Sequence, residues 1–333
     1  MYLLRFIIVR KYTNVILPKI VRAFKGILLA TGIAFTPNAI HAQYDPYFSH
    51  YFDMQTTFNP AAAGKQSKLN ITGAYAMSLA GFENAPQTML FSGDMPFVAM
   101  KNIHGVGLQL MNDKLGLFSH QRISLQYALR KQLGGGTLAV GLQPGIITEK
   151  FNGSGIDLDD ESDPAFSKSD INGNTFDIAV GLHYSRANWY VGLSAQHLTG
   201  PTVELGETNE LKIDPTFYIT GGMDFQLPNP LMKVATSAIV RSDGVAYRGD
   251  ITGRLVYNYQ GRMFYAGATY SPTNSVTILA GGQFQGVMLG YSFEMYTNGI
   301  SMRNGSHELF VGYQMDVNLS KKGKNRHQTT RTL

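Results

Sequence analysis

The 333-residue sequence contains no cysteine. This absence excludes a disulfide framework, a thiolate zinc site and a cysteine nucleophile. Charged residues make up only 15% of the chain, against about 25% in an ordinary soluble protein. Glycine is abundant instead, at 36 of 333 residues, or about 11% against a usual ~7%. This composition argues against a disordered chain, a coiled coil and an ordinary cytosolic helical protein.

The body of the chain also lacks a basic excess, although the formal net charge is +5. Residues 1–42 carry six basic residues and no acidic one, and residues 321–333 carry five basic residues and no acidic one. Subtracting these eleven from the 28 basic residues leaves 17 against 23 acidic residues, a net charge of −6. The charge distribution therefore predicts no nucleic-acid partner.

The two ends differ from the body in composition as well. Residues 1–42 predict a secretory signal peptide, with a basic region up to Lys25, a short apolar stretch and a cleavage site after Ala42. Residues 43–66 are predicted to form an N-terminal periplasmic segment or a plug. Residues 319–333 predict a basic periplasmic tail, either solvated or in contact with a partner.

The segment between these ends has no apolar run long enough for a transmembrane helix, but it alternates between apolar and polar residues. In residues 121–130, for example, Ile123 and Leu125 point one way, and Arg122 and Ser124 point the other. Most of these segments have eight to twelve residues, which matches the ~9–11 that a tilted strand needs to cross a bilayer. The predicted strands are 69–77, 87–95, 105–112, 121–131, 136–146, 175–185, 188–198, 215–226, 231–240, 247–257, 262–270, 276–283, 286–296 and 306–318.

The lengths of the connections favour a membrane barrel over a soluble sandwich. The longest, 147–174 and 199–214, follow odd-numbered strands, whereas the shortest, 186–187 and 284–285, follow even-numbered strands. Outer-membrane barrels have short periplasmic turns and longer external loops. The sequence thus predicts an all-β, up-and-down antiparallel transmembrane barrel of 14 strands over residues 67–318. It would lie in outer-membrane lipid with both termini periplasmic.

Charged residues of both signs are predicted on the inner face of this barrel. They would form either a network that closes the lumen or the wall of a narrow aqueous channel. The candidate lumenal residues are Arg122, Arg130, Asp177, Asp224, Arg248, Asp250, Arg254, Glu294 and Glu308, with Asp316 at the end of the last strand.

The longest external link contains a second candidate site, an acidic run. It lacks the spacing of an EF-hand loop, so it is either a solvated surface or a weak site for divalent cations. Its residues are Asp157, Asp159, Asp160, Glu161 and Asp163.

No motif in the sequence predicts catalysis. The eight histidines have no spacing typical of a zinc site. Ser119-His120 and Ser306-His307 are adjacent residues on strands, so their side chains face opposite ways and cannot act as nucleophile and base. No GxSxG motif or phosphate-binding loop occurs. We predict a non-enzymatic protein without a cofactor.

Several short motifs, in a specific order, resemble the PorP/SprF family of outer-membrane components of the type IX secretion system in Bacteroidota. The resemblance begins with QYDPYFSHY at residues 43–51 and NPAAAG at 59–64. It continues with APQT at 85–88, HGVGL at 104–108, ND at 112–113, QYALR at 126–130, GGTL at 135–138, LGYSF at 289–293 and GSHE at 305–308. The chain departs from the family late in its first strand, where it has YAMS at 75–78 in place of the Arg and Gln-Trp common there.

The resemblance implies a role in secreting cargo or attaching it to the cell surface. Family members work with periplasmic secretion components or serve particular large surface proteins, including gliding adhesins. The resemblance therefore implies periplasmic secretion-system components and secreted or surface-attached cargo proteins as partners. A diffusion porin and a passive surface receptor remain the alternatives.

Overall fold

The computed structural model describes residues 44–153, 170–205, 209–272, 274–297 and 305–319. Within these residues, fourteen antiparallel strands form a closed barrel, and two further strands form a separate hairpin. The barrel strands are β1 (Lys68–Met77), β2 (Gln87–Ala99), β3 (Asn102–Leu115), β4 (Phe118–Leu133), β5 (Gly136–Phe151), β6 (Ile171–Ser185), β7 (Trp189–Gln196), β10 (Thr216–Gln226), β11 (Met232–Ser242), β12 (Tyr247–Tyr259), β13 (Arg262–Ser271), β14 (Ser275–Phe284), β15 (Val287–Tyr296) and β16 (Ser306–Asp316). The hairpin consists of β8 (Thr202–Leu205) and β9 (Asn209–Lys212).

Each barrel strand pairs with its neighbours along the chain, which confirms the predicted up-and-down barrel of 14 strands. β7 pairs with β10 across the inserted β8–β9 hairpin, and β1 pairs with β16 to close the cylinder. Every predicted strand corresponds to one barrel strand. None of the residues in the described ranges forms a helix long and apolar enough to cross a membrane.

Several strands are longer than the sequence pattern predicted. β4 and β5 have 16 residues each and extend beyond the predicted segments 121–131 and 136–146. β2 and β3 are also longer than predicted. The predicted links 96–104 and 113–120 are therefore reduced to residues 100–101 and 116–117. Alternation weakens where both faces of a strand are polar, whereas the backbone hydrogen bonds continue, so the pattern underestimates strand length.

The two faces of the wall follow the predicted alternation. On β4, the outward side chains of Ile123 and Leu125 are exposed, whereas the inward side chains of Arg122 and Gln126 are buried. The same division recurs on β6, where Phe176 is exposed and Asp177 is buried. An apolar outer band and a polar interior are typical of a barrel that sits in lipid.

The longer connections lie at one end of the barrel, here called the long-link mouth, and the tight turns lie at the other end, here called the short-turn mouth. Residues 78–86, 116–117 and 243–246 are at the long-link mouth, where the connections between β5 and β6, β7 and β10, β13 and β14, and β15 and β16 also begin and end. The short-turn mouth has residues 100–101, 134–135, 186–188, 227–231, 260–261 and 285–286. Gln260 and Gly261 have φ of 49° and 73°, the left-handed geometry that a two-residue hairpin turn requires.

The β8–β9 hairpin folds against the inner side of the long-link mouth. Val203, Leu205 and Ile213 are buried against Ile147 of β5. Tyr44, the first described residue, packs at the edge of the same cluster. The hairpin therefore covers part of the long-link mouth and the beginning of the described chain.

The described chain ends at the opposite mouth. Lys68 at the start of β1 pairs with Asp316 at the end of β16, which places both strand ends side by side at the short-turn mouth. The segment that precedes β1 begins at the long-link mouth with Tyr44. That both termini are periplasmic stays a prediction. The predicted signal peptide, residues 1–42, and most of the predicted basic tail, residues 320–333, lie outside the described residues.

Candidate functional site

Residues 44–66, here called the N-terminal segment, run through the barrel lumen from the long-link mouth to the short-turn mouth. Tyr44 donates a hydrogen bond to Glu149 near the long-link end of β5. Tyr51 donates to Ser237 and Thr252 in the middle of β11 and β12, at 3.1 and 3.0 Å. The segment is irregular except for two short 3-10 helices, Gln55–Thr57 and Pro60–Ala62.

Apolar side chains of the segment form two clusters with inward side chains of the wall. Tyr51, Phe52 and Phe58 pack with wall residues of β10 to β14. Phe48 and Met54 pack with wall residues of β1, β2, β3, β15 and β16. The buried core of this barrel therefore lies between the segment and the wall.

Glycines in the wall leave room for the backbone of the segment. A Cβ atom at Gly141 would overlap the backbone nitrogen of Ala61, and one at Gly105 would overlap the carbonyl of Ala63. A Cβ at Gly181 would overlap the side-chain oxygen of Asn59. These close approaches require glycine, so part of the high glycine content is explained by the seating of the segment.

A cluster of buried charges fixes the segment near the long-link mouth. Oδ1 of Asp45 lies 3.2 Å from Nε2 of His197 and 3.4 Å from Nη1 of Arg122. Tyr218 donates a hydrogen bond of 2.6 Å to Oδ2 of Asp45. On its other side, Nδ1 of His197 lies 3.0 Å from Oδ2 of Asp177. The cluster joins the segment to β4, β6, β10 and the residue after β7.

The pKa values in this cluster follow from its charges. Burial alone would lower the pKa of the His197 imidazole, but the carboxylates of Asp45 and Asp177 outweigh burial and raise it to about 9. Burial alone would raise the pKa of Asp45, but His197 and Arg122 lower it well below its usual range. At neutral pH the two groups are therefore a charged pair.

A second cluster lies at the same mouth on β12. Arg248 donates hydrogen bonds to Asp250 at 3.1 Å and to Glu294 at 2.7 Å. Its guanidinium group stacks on the ring of Tyr47, 3.7 Å from the centroid. Cation–π contacts are strongest where water is excluded, so Tyr47 anchors the segment to this triad.

Glu308 of β16 binds the backbone of the segment. Its carboxylate accepts hydrogen bonds from the backbone N–H groups of Ser49 and His50, at 2.5 and 3.1 Å, and lies 2.7 Å from Nδ1 of His50. The His50 ring also stacks on Phe310. One buried carboxylate thus fixes two consecutive residues of the segment.

Two arginines contact the later part of the segment. Arg130 donates hydrogen bonds to the carbonyl oxygens of Ala61 and Ala63, at 3.0 and 3.3 Å. Arg254 stacks on Phe52 at 3.4 Å and lies 3.9 Å from Oδ1 of Asp53. Both arginines use the segment, not an acidic residue of the opposite wall, as their partner.

The structure thus places most candidate lumenal residues in contact with the segment or with one another. Asp224 differs, because it pairs with Lys233 at 2.6 Å and is partly exposed at the short-turn mouth. Asp316 is exposed at the end of β16. The acidic run in the long link, from Asp157 to Asp163, lies outside the described residues. No group of three or more His, Asp or Glu side chains in the described ranges is placed to hold a metal ion.

Sequence reasoning missed several residues of the lumenal clusters, mainly because the strands are longer than predicted. Arg241, which donates a 2.9 Å hydrogen bond to the carbonyl of Asp45, follows the predicted end of β11. Glu149 and His120, which contact each other, lie beyond the predicted ends of β5 and β4. The signal for Asp45 was present, since it lies in a motif at the start of the family resemblance.

Comparisons with known proteins give the family. The sequence model of the protein family described as type IX secretion system membrane protein PorP/SprF matches residues 40–313 of this chain. A search of the curated proteins finds no significant match.

Solved structures with similar folds include a FadL homologue and a toluene transporter. A Pseudomonas aeruginosa FadL homologue is 10% identical, with a TM-score of 0.48 over 78% of this chain and 93% of that chain. The Ralstonia pickettii toluene transporter TbuX is 12% identical, with a TM-score of 0.43 over 78% of this chain and 92% of that chain. Because the family model covers most of the sequence, the chain belongs to the PorP/SprF family of type IX secretion system membrane proteins.

Proposed function

We propose that this protein supports the secretion or surface attachment of cargo proteins, such as adhesins, as a non-enzymatic outer-membrane component of the type IX secretion system. Family membership over residues 40–313 is the observation that carries the proposal. The barrel fold agrees with it, because a closed barrel with an apolar outer face fixes a protein in the outer membrane.

The proposed orientation places the short-turn mouth in the periplasm and the long-link mouth outside the cell. Short periplasmic turns and longer external loops are typical of outer-membrane barrels. In this orientation the β8–β9 hairpin faces cargo. The tight turns and the end of β16 face periplasmic secretion components.

We further propose that the N-terminal segment is a plug, which favours the secretion role over a diffusion porin. An open porin needs a continuous water-filled path, whereas residues 44–64 run along the lumen with mostly buried side chains. The mechanism is then positional: the barrel holds binding surfaces on each side of the membrane and passes nothing through its centre.

The experiment that tests the role is deletion of the chromosomal gene, followed by mass spectrometry of the cell-surface and culture-medium fractions. We expect one or a few surface proteins to disappear from the surface, and a plasmid copy to restore them. Unchanged surface and secreted proteins in the deletion strain would contradict the role and leave a passive receptor.

A further inference from the structure

A cavity of about 210 Å³ lies at the short-turn mouth, between the N-terminal segment and the wall. Phe52, Gln55 and Lys65 line it on the side of the segment, and Tyr190 and Arg254 line it on the side of the wall. Sites for whole small molecules usually measure about 300–1,000 Å³. This cavity is smaller, so its size suits one or two side chains of a polypeptide.

The cavity has a positive lining. Three of its charged residues are basic (Lys65, Arg186 and Arg254), and the only acidic one in the described lining is Asp224. Asp224 is already paired with Lys233 at 2.6 Å. The remaining charge therefore favours an anion.

Lys65 is available to such an anion. Its ammonium group lies 4.4 Å from the centroid of the Tyr190 ring and donates a 3.2 Å hydrogen bond to Gln55. The side chain is exposed, and no carboxylate of the described residues forms an ion pair with it.

Arg254, which also lines the cavity, has an unmet hydrogen-bond donor. Its guanidinium group is stacked on Phe52, and its closest carboxylate oxygen, in Asp53, is 3.9 Å away. The Nε–H group is buried and has no hydrogen-bond partner among the described residues. Because an unpaired buried donor is costly, an acceptor that reached it would bind favourably.

We propose that this cavity binds the carboxylate of an acidic peptide segment that belongs to a periplasmic partner protein. Lys65 and Arg254 would contact the carboxylate, and the rings of Phe52 and Tyr190 would contact the neighbouring aliphatic groups. The inference rests on the proposed orientation, in which the short-turn mouth faces the periplasm.

A peptide suits this position better than a lipid head group does. The lining comes from residues of the N-terminal segment, from the ends of β7, β10, β11 and β12 near this mouth, and from the link 186–188. A lipid phosphate would approach along the apolar outer face instead. A chain end that enters the mouth from the aqueous side reaches the cavity directly.

Isothermal titration calorimetry on the purified full-length barrel in detergent tests the proposal. The probes are a four-residue peptide that ends in two glutamates with a free carboxylate, its amidated glutamine counterpart and inorganic phosphate. The Lys65→Gln variant removes the exposed cation. Lys101→Gln is the matched control, because Lys101 is also an exposed lysine at the short-turn mouth but lies outside the cavity.

We expect the acidic peptide to bind, the glutamine peptide not to bind, and Lys65→Gln to weaken binding about tenfold, as the loss of one charge-assisted hydrogen bond predicts. Lys101→Gln should bind like the unmodified protein. Equal binding of both peptides, equal binding by Lys65→Gln, or phosphate competition as strong as the peptide's would overturn the proposal. The purified barrel in detergent exposes both mouths to the same solution, so the peptide titration does not depend on the orientation in the membrane. A negative titration would therefore overturn the peptide site without contradicting the proposed secretion role.

Discussion

The carboxylate of Asp45 lies 3.2 Å from the imidazole of His197, and this buried pair joins the N-terminal segment to the wall just beyond β7. Arg122 and Tyr218 contact the same carboxylate. A single carboxylate therefore offsets the charges of His197 and Arg122 and accepts a hydrogen bond from Tyr218.

Replacement of that carboxylate should destabilise the barrel. In Asp45→Asn, His197 and Arg122 lose their shared negative partner while buried, and such a loss costs about 3–5 kcal/mol. We expect a lower urea midpoint of unfolding, measured by the fluorescence of the single tryptophan, Trp189. Asp316→Asn is the control, because Asp316 is exposed, and its midpoint should not change. Equal midpoints for the two variants would contradict the proposed anchoring by Asp45.

The stability of the barrel should also fall in alkaline solution. The pKa of His197 is about 9 in the folded protein and near 6.5 when unfolded, so the folded state binds the proton more tightly. The resulting stabilisation is complete below about pH 6.5 and is lost as the pH rises through about 9. We expect the urea midpoint to fall between pH 7 and pH 10, and to fall less in His197→Gln. A His197→Gln variant with the same pH dependence would show that another group is responsible.

A larger residue at a glycine of the barrel wall should displace the N-terminal segment from the lumen. In Gly141→Val the new side chain overlaps Ala61, so the segment must move away from β5. We expect the variant to show ion conductance in planar bilayers, where the unmodified protein shows little. Gly253→Val is the control, because a Cβ at Gly253 meets no atom within 4 Å. High conductance of the unmodified protein would instead support the porin alternative.

The absence of cysteine from the sequence permits a direct test of orientation. Single cysteines at Val245, in the long-link mouth, and at Lys101, in the short-turn mouth, can be labelled with a membrane-impermeant maleimide. In the proposed orientation Val245→Cys is labelled on intact cells, and Lys101→Cys reacts only after the outer membrane is permeabilised. The reverse pattern would place the β8–β9 hairpin in the periplasm.

The wall of this barrel could be predicted from the sequence, because each strand has one face in lipid and one face in a polar lumen. Ile123 and Arg122 show the resulting alternation on β4. The same alternation predicts the inward position of a charge such as Arg122, whereas Arg241 was missed because it lies beyond the predicted end of its strand. The partners of the lumenal charges could not be predicted, because the N-terminal segment is irregular and its contacts link residues more than 100 positions apart, such as Tyr44 and Glu149.

The course of the N-terminal segment constrains how this protein can assemble. The β1–β16 seam closes the cylinder, and the segment directly precedes β1. A chain that closed this seam first would have to thread the segment through a finished ring lined with charged side chains. Assembly is simpler if the segment lies against the growing sheet while the seam is open, so that it serves as a template around which the last strands fold.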